Sequence, residues 1–341
     1  MDSFEARLAR AKAEAERLRA RMQTVVLGQD EVVEQVLWAL IAGGHVLLEG
    51  NPGLGKTLLV RTLAACLHLE FSRIQFTPDL MPSDITGTNV LVLSASGDGS
   101  RRFELHRGPI FGNVVLADEI NRATPKTQSA LLEAMQEHAV TIGGTRHELS
   151  EPFFVLATEN PIEMEGTYPL PEAQLDRFLL KVLVRSPDEA GLTEILRSTT
   201  GQPLPRPEPV LGAADVLELR ALCRDVIVAD PVLAYAARLV SKSSPEAEGA
   251  PELVRRAVRF GAGVRGAQAL ILAAKAVALL EGRGHIAFAD VQRTALPVLR
   301  HRILRSFEGE ADGVSTDAVI EELLAKVPTR PEAVERAVQG V

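Results

Sequence analysis

The chain has 341 residues, a formal net charge of −8 and two cysteines, Cys66 and Cys223. The acidic balance argues against non-specific nucleic-acid binding as the main task, and two cysteines so far apart indicate neither a disulfide framework nor a metal knuckle. We find no apolar segment long enough to span a membrane and no apolar core of a signal peptide, so we expect a cytoplasmic protein without membrane insertion.

The predicted elements begin with two helices. Residues 3–22 are charged throughout, with alanines and leucines between the charges, which favours a helix that is only partly buried. A second, amphipathic helix carries its apolar residues between Val32 and Leu40. From residue 45 onward, short runs that are apolar on both faces alternate with helical stretches, a pattern typical of a parallel sheet covered by helices. These runs are HVLLE (45–49), FSRIQF (71–76), NVVLADE (113–119), FFVLATEN (153–160) and FLLKVLV (178–184).

Two segments interrupt this alternation and predict β-hairpins. The first covers residues 89–109 and has turn residues at 96–99, and the second covers 139–149 and turns at the glycine pair 143–144. Both have polar tips. We interpret the tips as sites of contact with another protein, and the alternative is that they pack within an assembly or are solvated loops.

The chain beyond residue 198 indicates a second domain. Residues 199–212 carry four prolines and predict a linker. The pattern after the linker is helical and shows no strand signal of any strength, so we predict an all-α domain. The predicted division is an α/β domain at 1–198, which includes the N-terminal helix, a linker and all-α domain at 199–328, and a tail at 329–341.

The segment GNPGLGKT (50–57) has the spacing of a phosphate-binding loop, or P-loop. It follows a predicted strand and precedes a predicted helix, which is the context in which glycines turn backbone N–H groups toward phosphate oxygens. Lys56 would reach the β- and γ-phosphates, and the Thr57 hydroxyl would hold Mg²⁺. The residues that we assign to nucleotide binding here are Gly50, Asn51, Pro52, Gly53, Leu54, Gly55, Lys56, Thr57 and Leu58.

Two adjacent carboxylates, Asp118 and Glu119, end the apolar run that begins at Asn113. A strand beside the P-loop strand would bring Asp118 to the Mg²⁺ held by Thr57. Glu119 would then accept a proton from the water that attacks the γ-phosphate. The alternative is a strand end whose acids reach solvent or cap the helix that begins near Pro125.

Three polar residues further along the chain suit the same chemistry. Asn160 ends a buried strand, and in a sheet with an extra strand between the P-loop strand and the Asp118 strand it would orient water near the γ-phosphate. Arg177 ends a short helix before the last strand, and Arg265 begins a helix of the second domain. The alternatives are that Asn160 is a turn residue, that Arg177 pairs with Asp176 or Glu172, and that Arg265 is a surface arginine.

Together these segments resemble the AAA+ ATPases and, more narrowly, the MoxR family. The resemblance covers about Val26 to Pro328 and is carried by GNPGLGKT, VVLADEINRA, QSALLEAMQE, TENP, EGTYPLPEAQLDRF and AVIEELLAKVP. It implies a P-loop AAA+ parallel-sheet core with a helix-2 insert and a pre-sensor-1 hairpin, which match the two predicted hairpins. It also implies that the all-α domain is a lid.

The resemblance further implies a role for each site residue. These roles are adenine pocket for Gly28 and Gln29, Walker A for Lys56 and Thr57, Walker B for Asp118 and Glu119, sensor 1 for Asn160, arginine finger for Arg177 and sensor 2 for Arg265. The sensor-2 segment departs from the family's Gly-Ala-Ser-Pro-Arg-Ala, because residues 261–266 read GAGVRG and lack the proline. Whether Arg265 serves its own ATP or a neighbour's stays open. Arg122 could also act across an interface, and the alternative is a solvated arginine.

The function that the resemblance implies is ATP hydrolysis with Mg²⁺ by a homo-hexameric ring. Such a ring remodels or matures a client protein, with a separate partner that carries a von Willebrand factor A domain. One alternative is a nucleic-acid motor, for which Arg101, Arg102 and Arg146 would supply charge, although an aromatic content of 4% gives few stacking platforms. The others are a magnesium-chelatase-like ATPase subunit and a nucleotide-dependent scaffold with very slow hydrolysis.

Overall fold

The structure is a computed structural model that describes residues 3–93, 101–161, 166–201 and 207–329. Its strands are β1 (Val46–Glu49), β2 (Phe71–Gln75), β3 (Gly87–Leu93), β4 (Arg101–Arg107), β5 (Val114–Asp118), β6 (Ala139–Ile142), β7 (Thr145–Glu148), β8 (Phe154–Glu159), β9 (Leu180–Leu183), β10 (Val258–Phe260) and β11 (Leu304–Arg305). Its α-helices are α1 (Phe4–Gln23), α2 (Asp30–Ala42), α3 (Lys56–Cys66), α4 (Pro82–Thr86), α5 (Pro125–Glu137), α6 (Glu172–Leu175), α7 (Glu189–Thr199), α8 (Ala213–Asp225), α9 (Asp230–Lys242), α10 (Glu252–Ala257), α11 (Val264–Leu280), α12 (Phe288–Leu299), α13 (Phe307–Ala311) and α14 (Thr316–Lys326).

The five runs predicted as strands form one parallel sheet in the order β2-β5-β8-β1-β9, which confirms the predicted sheet. Strand β8 lies between β1 and β5. The strand of Asp118 is therefore not the direct neighbour of the P-loop strand, and the arrangement with an intervening strand is the one that we described for Asn160. Parallel strands share their carboxyl ends, so the P-loop, Asp118 and Asn160 follow three adjacent strands at the same edge of the sheet.

The sheet separates two apolar cores. On one face, Leu116 and Leu156 pack in a core that includes residues of α1, α2 and α3. The same core includes residues of the second unit, which is the helical region from α8 to α14. On the other face, Val115 and Val155 pack in a core built with α5 and the second hairpin. Burial on both faces explains why these strands have continuous apolar sequences rather than alternating ones.

Both predicted hairpins are present. Strands β3 and β4 pair antiparallel, and the turn that we predicted at 96–99 lies outside the described residues. Strands β6 and β7 pair antiparallel around Gly143 and Gly144, whose φ angles of 57° and 83° are left-handed, as this two-residue turn requires. A Cβ atom at Gly143 would lie 2.4 Å from Asn89 Nδ2 of the first hairpin, so the two hairpins touch at this turn.

The second unit, from α8 to α14, is helical as predicted, and it holds one feature that we did not predict. Strands β10 and β11 form a short antiparallel ribbon in which Val258 lies opposite Arg305 and Phe260 opposite Leu304. The expectation of no strand in this region was therefore wrong for these few residues. Strands of two and three residues are too short to show the period-2 alternation by which strands are recognised.

Helix α1 is partly buried, as predicted, and it contacts both units. A Cβ atom added at Gly284, just beyond α11, would lie 2.8 Å from the ring of Phe4, so the second unit approaches α1 closely. None of the helices in the described part of the chain has the length and apolar character that crossing a bilayer needs. The buried face of α1 consists of Leu8, Ala11, Ala15, Leu18 and Met22.

Candidate nucleotide-binding site

The P-loop connects the end of β1 to the beginning of α3. Gly53 and Gly55 have φ angles of 82° and 77°, a left-handed conformation that glycine adopts without steric cost. Gly50 is required for a different reason, because an added Cβ atom would lie 2.5 Å from the carbonyl oxygen of Val184 at the end of β9. Strand, glycine loop and helix therefore follow one another as predicted, with backbone N–H groups at the beginning of α3.

Lys56 extends from the first turn of α3 back across the loop. Its Nζ donates hydrogen bonds to the carbonyl of Gly50 and, at 3.4 Å, to the carbonyl of Glu159 at the end of β8. Burial lowers the pKa of Lys56, and the nearby carboxylates of Asp118 and Glu119 oppose this shift. The ammonium group thus lies between the loop and the carboxyl ends of the strands, where a bound phosphate would meet it.

Thr158 joins the two carboxylate residues. Its buried hydroxyl donates to Asp118 Oδ1 at 2.7 Å and accepts from the backbone N–H of Glu119 at 2.8 Å. Glu119 has a left-handed backbone with φ 56°, so its side chain turns away from the direction of the strand. Thr158 was not predicted as a site residue, although it is the single hydroxyl in the apolar run FFVLATEN.

Side chains of the same molecule donate hydrogen bonds to both carboxylates. Arg73 donates to Asp118 Oδ2 through Nη2 at 2.6 Å and through Nε at 3.2 Å. Glu119 Oε2 accepts from Arg122 Nη1 at 2.9 Å and from Gln75 Nε2 at 3.0 Å. Arg73 and Gln75 were not predicted as site residues, although their i, i+2 spacing on β2 places them on one face of an edge strand.

The donor set fits a Mg²⁺ ion. Mg²⁺ takes oxygen ligands and is usually bound through one or two carboxylates together with substrate phosphates and water. Thr57 and Asp118 supply a hydroxyl and a carboxylate. The guanidinium of Arg73 contacts this carboxylate, so the site already binds a positive charge. Within the described ranges no cluster of three or more His, Cys, Asp or Glu residues forms a separate metal site.

A cavity lies beside the segment that precedes α2, and this segment contacts the P-loop. Gln29 Nε2 donates to the carbonyl of Leu54 at 2.6 Å and so connects the segment before α2 to the loop. Gln29 Oε1 is buried and accepts no hydrogen bond from the described residues, which leaves an acceptor for a ligand N–H. The cavity of about 530 Å³ is lined by Gly28 and Gln29, by Pro187 after β9 and by Arg300 of the second unit.

Asn160 and the two arginines lie at opposite ends of the sheet. Asn160 is buried at the carboxyl end of β8, beside the P-loop. Arg177 precedes β9, whose first residue Leu180 pairs with Val46 at the beginning of β1. Arg265 lines the same cavity of about 220 Å³ as Arg177. The structure thus brings the two arginines together at the amino ends of the strands.

The surroundings of Arg177 disfavour a local ion pair. Among the described residues Arg177 forms no ion pair. Asp176 pairs instead with Arg302, at 2.7 Å, and with Arg265, at 4.0 Å. The pairing of Arg177 with Asp176 or Glu172 that we gave as an alternative is not found among the described residues.

Comparison with known proteins agrees with this geometry. A sequence profile described as "ATPase family associated with various cellular activities (AAA)" matches residues 45–180, and a second one described as "AAA lid domain" matches residues 250–323. A crystal structure of a protein from Cytophaga hutchinsonii that was proposed to be an ATPase superimposes with a TM-score of 0.87 at 40% identity. The alignment covers 95% of this chain and 97% of that one.

Three relatives align along nearly the whole chain. The uncharacterized protein YeaC of Bacillus subtilis is 42% identical over 91% of this chain and 93% of its own length. Chaperone MoxR1 of Mycobacterium tuberculosis is 42% identical over 92% of this chain and 81% of its own length. Protein MoxR of Paracoccus denitrificans is 32% identical over 91% of this chain and 94% of its own length. This chain therefore belongs to the MoxR family of AAA+ ATPases.

Proposed function

We propose that this protein hydrolyses ATP with Mg²⁺ at a site that a second copy of the chain completes. The observation that carries the proposal is the separation of the P-loop from Arg177. Strand β1 alone has four residues, or roughly 13 Å at about 3.3 Å per residue, and the two groups lie beyond its opposite ends. An arginine of the same molecule is thus poorly placed for its own γ-phosphate, whereas an arginine of a neighbour can approach it from outside.

The residues around the P-loop would bind and position ATP. Backbone N–H groups of the loop and Lys56 would bind the β- and γ-phosphates. Thr57 and Asp118 would hold Mg²⁺, which supplies positive charge to the phosphate oxygens. Gly28 and Gln29 would contact the adenine.

The chemical step would use residues from two subunits. Glu119 would accept the proton of the attacking water, and Asn160 would orient that water. Arg177 of the neighbouring subunit would stabilise the charge that develops on the γ-phosphate, an effect worth about 10³–10⁵ in rate in other phosphoryl transfers. Arg265 would act from the same neighbour, because it lines the same cavity as Arg177 and pairs with Asp176, the residue that precedes Arg177.

An arginine supplied from a neighbour requires a head-to-tail interface. Such an interface joins different surfaces of two identical molecules and therefore closes into a ring or continues as a filament. We propose the closed form, because each subunit then receives one arginine pair and donates one, and we propose six subunits because the family resemblance implies a homo-hexamer.

We further propose that the ring remodels or matures a client protein, together with a partner that carries a von Willebrand factor A domain. Support comes from a relative named as a chaperone and from the two touching hairpins, which form one surface for contact. Two of the three arginines that a nucleic-acid motor would use form ion pairs within their own hairpins. Arg102 pairs with Glu104 and Arg146 with Glu148, so their charge is balanced locally, which favours a protein client.

The test is the ATPase rate per subunit as a function of protein concentration, with mass photometry on the same samples. We expect the rate to rise as assemblies form, because monomers lack the neighbour's Arg177. The matched control is Lys56→Ala, which should give no turnover at any concentration. A constant rate carried by monomers would contradict the shared site.

A further inference from the structure

Arg73 is a half-exposed arginine on the edge strand β2, and its guanidinium lies on the carboxylate that we expect to hold Mg²⁺. We propose that Arg73 is an internal counter-ion that occupies Asp118 before the metal arrives, so that Mg²⁺ binds by displacing it. The inference rests on the proposed role of Asp118 as a metal ligand. It assigns to Arg73 a positioning role that sets how much Mg²⁺ the site needs.

The strand register explains how the contact forms. Gln75 lies opposite Asp118, and Arg73 lies two residues earlier on the same face of β2, opposite Leu116. The long side chain of Arg73 therefore runs along the sheet toward its carboxyl end and reaches the carboxylate with two N–H donors, at 2.6 and 3.2 Å.

The two oxygens of Asp118 have different partners. Oδ1 accepts the hydroxyl of the buried Thr158, a bond that strand β8 fixes in place. Oδ2 is the oxygen left for a metal, and it is the oxygen to which Arg73 donates both of its bonds. A guanidinium and a divalent cation at one oxygen repel each other, so each excludes the other.

The exposures of the two side chains make the exchange possible. The side chain of Asp118 is 12% exposed, so its charge needs a partner, whereas that of Arg73 is 48% exposed and can turn into solvent. Water and salt screen an ion pair whose arginine is half exposed, so it is weaker than a fully buried pair. The pair is therefore weak enough for Mg²⁺ to replace and close enough to compete with it.

Arg73 also connects the metal carboxylate to the proposed base. Its Nη2 donates to Gln75 Oε1, and Gln75 Nε2 donates to Glu119 Oε2 at 3.0 Å. A hydrogen-bonded chain thus runs from Asp118 through Arg73 and Gln75 to Glu119. Displacement of Arg73 by Mg²⁺ would remove the hydrogen bond that Arg73 donates to Gln75. The amide of Gln75 would then be less fixed, and its hydrogen bond to Glu119 would weaken. Occupancy of the metal site is in this way transmitted to the base.

Binding rather than turnover tests this inference. Mn²⁺ replaces Mg²⁺, and electron paramagnetic resonance measures its binding to the protein saturated with the non-hydrolysable analogue AMPPNP. We expect Arg73→Met to lower the Mn²⁺ concentration for half-saturation about two- to fivefold, the effect of removing one half-exposed counter-ion. Arg73→Lys, which keeps the charge with a single donor group, should lie between Met and wild type.

Two controls separate the possible results. Arg61→Met removes an equal charge beside the same strand, where Arg61 lies over the ring of Phe71, and should leave the Mn²⁺ half-saturation unchanged. AMPPNP affinity in EDTA should be equal in wild type and Arg73→Met, and a loss there would mean that Arg73 binds nucleotide and would overturn the inference. An unchanged or higher Mn²⁺ half-saturation in Arg73→Met would also overturn it. If wild-type AMPPNP binding does not depend on Mn²⁺, the proposed metal role of Asp118 fails first.

Discussion

The two ends of the central sheet hold their charged groups in different ways. At the carboxyl ends, the carboxylates of Asp118 and Glu119 are bound by arginine side chains that are 48% and 43% exposed. At the amino ends, the side chain of Arg302 is 3% exposed, and it donates to the Asp176 carboxylate at 2.7 Å. At the end that we propose to bind nucleotide, the arginine partners are half exposed, whereas the end that holds Arg177 is fixed by buried groups.

Two buried histidines extend this fixed end. His45 precedes β1 and bridges two elements, because its Nδ1 accepts from the N–H of Val155 at 3.0 Å and its Nε2 donates to the carbonyl of Met135 at 3.1 Å. Burial lowers the pKa of His45 to about 4, and burial also lowers the pKa of His301, whose Nε2 lies 3.1 Å from the carbonyl of Phe178. Both rings are neutral near pH 7 and serve as parts of the scaffold.

Removal of Arg177 from the fixed end should have the largest effect. Arg177→Ala should bind ATP normally and lose about 10³–10⁵ in kcat, because the γ-phosphate loses its neighbour's guanidinium. Mixing this variant with Lys56→Ala protein should restore part of the activity, since some interfaces then combine an intact P-loop with an intact Arg177. The measurement is steady-state ATPase rate against mixing ratio, and no recovery at any ratio would mean that Arg177 does not act across an interface.

At the end that we propose to bind nucleotide, the corresponding change is Glu119→Gln. This variant should keep its affinity for ATP and lose about 10²–10⁴ in kcat, because an amide cannot accept the proton of the attacking water. Equilibrium nucleotide binding and single-turnover hydrolysis measure the two quantities separately. Glu137→Gln at the end of α5 makes an equal change of charge on the surface and should have full activity. Full activity in Glu119→Gln would remove the proposed role of base.

The smallest expected effect is on how the free energy of unfolding depends on pH, through the buried His45 at the fixed end. The folded-state pKa of His45, about 4, lies below its ordinary value of 6.5, so the unfolded chain binds a proton that the folded chain does not. The free energy of unfolding should therefore have its full value above pH 6.5 and fall as the pH decreases toward 4. His45 should account for up to about 1.4 kcal/mol of this fall per pH unit.

Denaturant unfolding of wild type and His45→Asn across this pH range measures the effect. Asparagine can still accept from the N–H of Val155 but does not titrate, so the slope against pH should decrease, and the remaining slope comes from other titrating groups, His301 among them. His106→Gln, at an exposed position on β4, should leave the slope as in wild type. An equal slope in His45→Asn and wild type would mean that His45 is not the residue that titrates.

Much of the fold could be predicted because its signals are local. Five apolar runs, the glycine spacing at 50–57 and the Gly143-Gly144 turn each determine their own conformation over a few residues. The β10–β11 ribbon could not be predicted, because its two strands are two and three residues long and pair across more than 40 residues of sequence.

The candidate site was predictable to the extent that its residues belong to contiguous motifs. Arg73 was missed because its partner Asp118 is 45 residues away, and an arginine on an edge strand normally indicates a solvent face. Arg177 and Arg265 were recognised individually, but their shared cavity depends on how the second unit docks on the first. No pattern within a short stretch of sequence predicts how the two units pack together.

The left-handed backbone at Glu119 has a consequence for engineering this protein. Glycine and asparagine adopt such a conformation at lower cost than glutamate, for which it is unfavourable by about 1–2 kcal/mol. Neither residue can accept a proton from water. A library sorted only for thermal stability would therefore tend to replace Glu119 and enrich inactive proteins. Residue 119 should be held constant before any such sorting begins.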